Sequence, residues 1–156
     1  ELHRDGQLGD IMLVPLGNGA LSTGIGTYVK SVRPETKIIA VAAEGAPSMA
    51  LSFDQGRYVE TETVDTIADG IAVRQPVPIA LEAMKGTIDE VVTVSDEDIV
   101  QAMRLCLFDL GLLVEPAGAA GLAALVANPG RFKGARISTI LCGGNVTQAQ
   151  AKEWFL

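Results

Sequence analysis

The segment Ile11–Leu21, with the sequence Ile-Met-Leu-Val-Pro-Leu-Gly-Asn-Gly-Ala-Leu, decides the fold of this chain. Its first six residues are a continuous apolar run, which predicts a strand buried on both faces and therefore a parallel sheet. Glycines end this strand, and a second apolar run at Lys37–Ala43 predicts the next one. Between the two strands, four apolar residues recur at helical spacing: Leu21, Ile25, Tyr28 and Val29. The order strand, glycine loop, helix, strand is a βαβ unit with its loop at the carboxyl end of the sheet.

The rest of the chain extends this pattern. We predict further strands over 90–94 and 137–141, short helices over 78–85 and after residue 145, and mostly loops and short helices over 44–78. Ser95 is a good N-cap for a long helix that ends at Gly111, and another helix begins at Pro116. The long helix has one predicted apolar face, formed by Ile99, Met103, Cys106 and Leu110. The expected fold class is α/β, with a parallel sheet flanked by helices in three layers.

Composition limits the functions that this chain can have. Its 156 residues are 48% hydrophobic, which excludes disorder, and its net charge of −7 without a basic run argues against nucleic acid and anionic membranes. No apolar stretch is long enough to span a membrane and no signal peptide is recognisable, so we expect a cytoplasmic protein. Two cysteines and one histidine exclude a disulfide scaffold and a Cys/His zinc site. The chain begins at Glu1 rather than Met, and we expect it to be a fragment.

The glycine loop alone has two interpretations of equal weight. Backbone N–H groups after a buried strand, at the start of a helix, are suited to bind a phosphate, but a tight turn without a ligand has the same sequence. A dinucleotide fold would use Gly17 and Gly19 for the pyrophosphate and Glu44 for the ribose. That fingerprint is incomplete, because its third glycine would fall at Ser22 and Glu44 lies 27 residues after Gly17.

Four segments, read together, favour a different family. They are Val14–Leu21, Thr66–Val73, Glu115–Ala120 and Leu141–Val146, with the sequences VPLGNGAL, TIADGIAV, EPAGAA and LCGGNV. In this order they resemble the carboxyl-terminal half of the threonine/serine dehydratases. These belong to the tryptophan-synthase-β-like class, also called fold type II, of enzymes that depend on pyridoxal phosphate. The resemblance runs from about Ile11 to Val146.

The resemblance implies a pyridoxal 5'-phosphate cofactor and a set of residues that bind it. The loop that matches the family's phosphate cradle is Gly17, Asn18, Gly19, Ala20 and Leu21, in which Asn18 and Ala20 replace two of the usual glycines. Cys142 matches the residue that faces the pyridine nitrogen. A neutral thiol there makes the ring a weaker electron sink, which favours elimination over transamination.

Two other matches have two interpretations each, a role at the cofactor site or an ordinary structural role. Glu115 matches a glutamate near the cofactor ring, but it could equally be a carboxylate at the entry to the helix that follows. Asp69-Gly70 matches a loop near the site, but a simple turn explains it nearly as well.

The family's catalytic lysine has no match here. The lysine that forms the Schiff base lies in the amino-terminal half of the family, so residues 1–156 are expected to be the cofactor-binding portion of the large domain, inactive alone. None of the five lysines has the required context: Lys30, Lys37, Lys85, Lys133 and Lys152. Some relatives bind a divalent metal after the second strand, but Ala50 replaces a carboxylate that would join Glu44, so no metal is expected. Homo-oligomers are usual in the family.

We therefore expect a portion of a pyridoxal-phosphate-dependent ammonia-lyase that converts threonine or serine to a 2-oxo acid and ammonia. The missing amino-terminal half is the expected partner. Racemases and β-replacement enzymes share these motifs, so the reaction within the class is open. Two alternatives are a nicotinamide-dinucleotide-binding oxidoreductase domain and a non-catalytic module that retains the fold.

Overall fold

The computed structural model describes all residues from Glu1 to Leu156. One sheet contains four parallel strands: β1 (Ile11–Pro15), β2 (Lys37–Ala43), β3 (Glu90–Val94) and β4 (Ile137–Thr139). Their spatial order is β3-β2-β1-β4. The helices are α1 (Ala20–Val32), α2 (Ser48–Gln55), α3 (Pro78–Met84), α4 (Asp96–Leu110), α5 (Pro116–Ala127) and α6 (Gln148–Phe155). None of them is both long and apolar enough to cross a lipid bilayer.

The strands carry apolar side chains on both faces, so the sheet separates two cores. Met12 and Val14 of β1 belong to a core on the face covered by α1, α2 and α3. Leu13, which lies between them, points to the opposite core, which α4, α5 and α6 cover. The prediction of a parallel sheet between two helical layers is confirmed.

The sheet register brings two loops to one edge. Pro15, the last residue of β1, pairs with Val41, and β4 pairs with β1 only as far as Leu13 and Thr139. The Thr139 hydroxyl donates to the Leu13 carbonyl at 3.0 Å, and the chain then leaves the ladder, two residues earlier than predicted. The loops that follow β1 and β4 therefore lie side by side at the carboxyl end of the sheet, where open α/β folds bind their ligands.

Two predicted apolar faces were partly wrong. In α1, Leu21 and Tyr28 are 42% and 53% exposed, while Ser22 and Gly26 are buried beside Val29. Small residues face inward because α1 lies directly against the segment that follows α3.

The predicted apolar face of α4 is wrong at its last residue. Ser95 caps this helix as predicted, accepting the Asp98 N–H at 3.1 Å. Ile99, Met103 and Cys106 are buried, but Leu110 is 60% exposed. The chain turns away from the core at Gly111, which has a positive φ of 67° and ends the helix.

The glycines of α1 provide a test of this packing. Adding a methyl group at Gly26 would overlap the Thr87 carbonyl, and we expect Gly26→Ala to destabilise the protein by about 2 kcal/mol. Gly24 has no neighbour within 4 Å, so Gly24→Ala should stabilise it by about 0.5 kcal/mol through helix propensity. Urea unfolding of both variants measures the difference, and equal effects would contradict the close approach of α1.

Candidate functional site

A cleft of about 250 Å³ opens at the carboxyl end of the sheet. Its walls are the loop after β1, the 3-10 turn Asp69–Ile71, the start of α5 and the residue three places after β4. The lining residues are Pro15, Gly17, Asn18, Gly19, Ala20, Leu21, Gly70, Ile71, Glu115, Ala117 and Cys142. All seven residues predicted to contact a cofactor therefore lie in one cleft, although they are up to 125 positions apart in the chain.

The first wall is a row of unpaired backbone donors. None of the six N–H groups from Gly17 to Ser22 has an acceptor within the protein, because they precede the first intrahelical bond of α1. Gly19 has a φ of 87°, a conformation that other residues rarely adopt. A methyl group at Gly17 would lie 3.3 Å from both the Gly70 carbonyl oxygen and the Ile71 Cα, which is a tight contact. The loop therefore depends on its two glycines.

Side chains hold this loop in place. The Asn18 Oδ1 accepts the Val77 N–H at 3.0 Å, which connects the loop to the residue before α3. The Thr23 hydroxyl donates to the Gly19 carbonyl at 2.6 Å. From the sequence we expected Asn18 to contribute only its backbone N–H. The structural role of its side chain, which anchors the loop to Val77, was not predicted.

Glu115 forms the opposite wall. Its carboxylate accepts the Asn145 N–H at 2.9 Å, and its own N–H donates to the Gly143 carbonyl at 3.2 Å. The side chain makes no capping bond to α5, although Glu115 occupies the N-cap position. Its hydrogen bond therefore goes to the glycine loop after β4 rather than to the helix that follows.

Cys142 lies between these walls as a neutral thiol. Burial raises the pKa of Cys142 above its usual value, and the nearby negative charge of Glu115 raises that pKa further. A methyl group on Gly118 of α5 would overlap the Cys142 carbonyl, so α5 packs directly on the backbone of this residue. The thiol thus keeps its proton at neutral pH and can donate or accept one hydrogen bond in the cleft.

Residues of the alternative interpretations lie elsewhere. Glu44 is exposed and does not line the cleft that contains Gly17 and Gly19, so the geometry does not support a dinucleotide site. No three His, Cys, Asp or Glu side chains are placed to hold a metal ion. The Asp69 carboxylate accepts the Gly70 N–H at 2.7 Å, as in an ordinary turn, and only the glycine lines the cleft.

The lysines also lie outside the cleft. Three of them form ion pairs: Lys30 with Asp89, Lys37 with Glu90 and Lys85 with Glu82, at 2.6, 2.7 and 2.8 Å. Lys133 and Lys152 are exposed. The described residues therefore bring no amine to this cleft.

Three other lining residues were not singled out from the sequence, although each lies in one of the four family-like segments. Pro15, Ile71 and Ala117 contribute apolar surface, and only the pairing of distant segments brings them to the cleft. Gly143 and Asn145 belong to the family-like segment Leu141–Val146 and were given no role of their own, but their backbone groups fix Glu115.

Comparison with known proteins agrees with this geometry. The L-threonine ammonia-lyase of Thermotoga maritima is 39% identical over 137 residues, which are 88% of this chain and 34% of that enzyme. Two solved structures are also similar. Threonine deaminase isoform 2 from Solanum lycopersicum has a TM-score of 0.88 and 31% identity, covering 96% of this chain and 45% of that one. Maize serine racemase has a TM-score of 0.87 and 30% identity, covering 97% and 48%.

This chain thus spans about one third of the curated relative and less than half of each of these two structures. The family model described as pyridoxal-phosphate dependent enzyme matches residues 1–143, which is most of the chain. With a parallel α/β sheet of the fold type II class, the chain belongs to the family of pyridoxal-phosphate-dependent enzymes.

Proposed function

We propose that this chain is the cofactor-holding portion of a lyase that eliminates water from threonine or serine and yields a 2-oxo acid and ammonia. The observation that supports this most directly is the cleft itself. It combines unpaired N–H groups on one wall with a neutral thiol and an oriented carboxylate on the other. The activities of two relatives, threonine ammonia-lyase and serine racemase, suggest the substrate class.

The loop after β1 fits a phosphate group. Six backbone N–H groups without an acceptor lie in or beside this loop at the positive end of the α1 dipole, where a dianion would be stabilised. The first turn of α1 contains no acidic residue, whereas α4 carries Asp96, Glu97 and Asp98 in its first turn. An uncompensated helix N-terminus in a cleft suits an anionic ligand, and α4 lacks this property because its own side chains compensate it.

The other residues fit the ring of the cofactor. Cys142 would contact the ring nitrogen and, as a neutral thiol, would leave it unprotonated. Glu115 would fix the loop over 143–145 through its hydrogen bond to Asn145. When bound, pyridoxal phosphate withdraws electrons from the Cα–H bond of an amino acid, which makes that proton acidic. The chain's own residues bind and orient the cofactor, and the amine and the base would come from the missing half.

Activity of the complete protein tests the proposal. The cofactor-loaded protein should release 2-oxobutyrate from threonine or pyruvate from serine, together with one ammonia, and both products can be quantified. Release of the D-amino acid without oxo acid would instead indicate a racemase. If neither reaction occurs although the protein binds pyridoxal phosphate, the dehydratase assignment is wrong.

The thiol of Cys142 should titrate at unusually high pH. Because burial and Glu115 raise its pKa, the thiol stays protonated as pH rises and loses its proton only above the usual value of 9.0. The ultraviolet thiolate absorbance of the apoprotein, minus that of Cys142→Ser, should show this midpoint. The subtraction also removes the signal of Cys106, the other free cysteine. A midpoint at or below 9.0 would contradict the half-buried position of the thiol beside Glu115.

Three expectations from the sequence stay predictions. They are a cytoplasmic location, a homo-oligomeric state, and the assignment of residues 1–156 to the large domain.

A further inference from the structure

The first turn of α4 carries three carboxylates with different surroundings. Asp98 stays within its helix, where its carboxylate accepts the Ser95 hydroxyl at 2.7 Å and completes the capping box. Glu97 is exposed and makes no hydrogen bond or ion pair within the chain. Asp96, the half-buried first residue of the helix, uses both carboxylate oxygens to bind residues outside α4. Helix capping therefore does not explain the contacts of Asp96.

Asp96 binds the segment that leads into one wall of the cleft. Its Oδ1 accepts the Thr66 hydroxyl at 2.5 Å, and its Oδ2 accepts the Ile67 N–H at 2.9 Å. Hydrogen bonds to a charged acceptor are about twice as strong as those between neutral groups, so this pair of bonds is a firm attachment. Asp96 thus connects the start of α4 to the residues just before the turn Asp69–Ile71.

A series of hydrogen bonds continues from Asp96 into the turn. The Thr66 oxygen, which donates its proton to Asp96, accepts the Ala68 N–H at 3.1 Å. The Ala68 carbonyl then accepts the Ile71 N–H at 3.0 Å. Ala68 and Ile71 are buried, so water does not readily replace these bonds. The position of Ile71 therefore depends on Asp96 through consecutive hydrogen bonds.

The turn Asp69–Ile71 lies against two other walls of the cleft. A methyl group at Gly17 would lie 3.3 Å from both the Gly70 carbonyl oxygen and the Ile71 Cα, so the turn contacts the loop after β1. A methyl group at Gly70 would lie 2.9 Å from the Ala117 Cβ, so the turn also contacts the start of α5. A displaced turn would therefore leave the loop after β1 without its neighbour on this side.

The far end of the same segment is attached to the opposite helical layer. The Ser48 hydroxyl of α2 donates to the Val73 carbonyl at 2.6 Å, two residues after the turn. The turn is therefore held from both sides of the sheet, by Asp96 at its beginning and by Ser48 beyond its end. Of these two attachments, only Asp96 is charged.

We infer that Asp96 is a positioning residue of the cofactor site. It holds the turn Asp69–Ile71 in place, and the turn supports the loop after β1 with its unpaired N–H groups. The inference rests on the proposed role of that loop in binding a phosphate. Asp96 lies outside the cleft and acts through Thr66 and Ile71. Without Asp96 the turn has to be ordered when the ligand binds, and the cost of ordering a loop lowers affinity.

Titration of the complete apoprotein with pyridoxal phosphate and with pyridoxal tests the inference. Asp96→Ala should weaken the binding of pyridoxal phosphate by about tenfold and that of pyridoxal by less than about twofold, because the loop after β1 would contact the phosphate rather than the ring. If Asp96→Ala leaves the ratio of the two affinities unchanged, the role of Asp96 is only structural and the inference is wrong.

The neighbouring carboxylates provide matched controls. Glu97→Ala removes the same charge from the same turn of α4 and should change neither affinity. Asp98→Ala removes the capping box and should lower the melting temperature without changing the ratio of the two affinities. A selective loss of pyridoxal phosphate binding in either control, as large as that of Asp96→Ala, would overturn the inference.

Thr66 supplies a second test that does not require Asp96→Ala to fold. Thr66→Val keeps the shape of the side chain but removes the hydroxyl that joins Asp96 to Ala68. It should weaken the binding of pyridoxal phosphate by about fivefold, again with little effect on pyridoxal. Thr66→Ser retains the hydroxyl and should bind both ligands as the unsubstituted protein does. Equal affinities of Thr66→Val and Thr66→Ser for pyridoxal phosphate would overturn the inference.

Hydrogen exchange of the apoprotein locates the effect. In Asp96→Ala the amides over 66–71 should exchange at least about tenfold faster, whereas Asp98→Ala should leave them unchanged. Unchanged exchange in Asp96→Ala would show that other contacts hold the turn and would contradict the inference.

The unsubstituted protein distinguishes a failure of the proposed function. If it binds pyridoxal as tightly as pyridoxal phosphate, the loop after β1 holds no phosphate and both proposals fail. A failure confined to the Asp96 and Thr66 variants overturns this inference alone.

Discussion

Replacing Ala20 with aspartate is expected to weaken the binding of pyridoxal phosphate by about 100-fold without loss of stability. Ala20 is the first residue of α1, is exposed, and lines the cleft. A carboxylate there would compete for the N–H groups from Gly17 to Ser22 and repel a phosphate. Like charges 4 Å apart near a protein surface repel by about 4 kcal/mol, and the open cleft reduces this to roughly 3 kcal/mol, or about 100-fold in affinity.

The same substitution should slightly raise the free energy of unfolding. Acidic residues in the first turn of a helix stabilise it by about 0.5 kcal/mol, and α1 has none. Titration of the apoprotein with pyridoxal phosphate and with pyridoxal measures the effect, because only the phosphorylated ligand should lose affinity. Thr27→Asp, exposed on the same helix and outside the cleft, adds the same charge and should bind both ligands normally. Equal losses for the two ligands would show that the loop does not hold the phosphate.

Gly143→Ala should destabilise the protein by about 3 kcal/mol. Gly143 has a φ of 78°, which costs alanine about 1 kcal/mol, and the new methyl group would overlap the Glu115 carboxylate. That carboxylate would lose its hydrogen bond with Asn145, which is worth about 2 kcal/mol for a charged acceptor. Thermal and urea unfolding of the complete protein measure the change.

Two further variants separate the causes of that loss. Gly134 has a similar φ of 85° but no neighbour within 4 Å, so Gly134→Ala should show the backbone cost alone. In a Glu115→Ala background, Gly143→Ala should also cost only about 1 kcal/mol, because the overlapping carboxylate is absent. If Gly143→Ala costs no more than Gly134→Ala, the contact between Gly143 and Glu115 does not constrain the site.

The sequence predicted the sheet well because strong local signals agree with the fold. The run from Ile11 to Leu16 is apolar on both faces, and the Ser95 cap marks the start of α4 within one residue. The inward faces of α1 were harder to predict, because burial of Ser22 and Gly26 depends on how closely Thr87 approaches. Hydrophobic periodicity identifies which residues are apolar, but close packing of small residues depends on the neighbouring element.

The candidate site was predictable where a motif carried it. Gly17, Glu115 and Cys142 lie in the cleft because the motifs that identify the family also position its loops. The Asn18 contact with Val77 could not be predicted, since it joins segments 59 positions apart that share no pattern. The cofactor-binding roles of Gly17, Glu115 and Cys142 stay proposals, which the Ala20→Asp titration tests for the loop after β1.

The proposed phosphate contact of the unpaired N–H groups after β1 would also link cofactor supply to protein turnover. A ligand that binds only the folded state at 100 times its dissociation constant adds about 2.7 kcal/mol to the free energy of unfolding. Without it, this loop has only its few side-chain contacts to keep it ordered, and unfolding becomes more frequent. A cell that runs short of pyridoxal phosphate would therefore degrade this protein faster, so its abundance would follow the supply of cofactor.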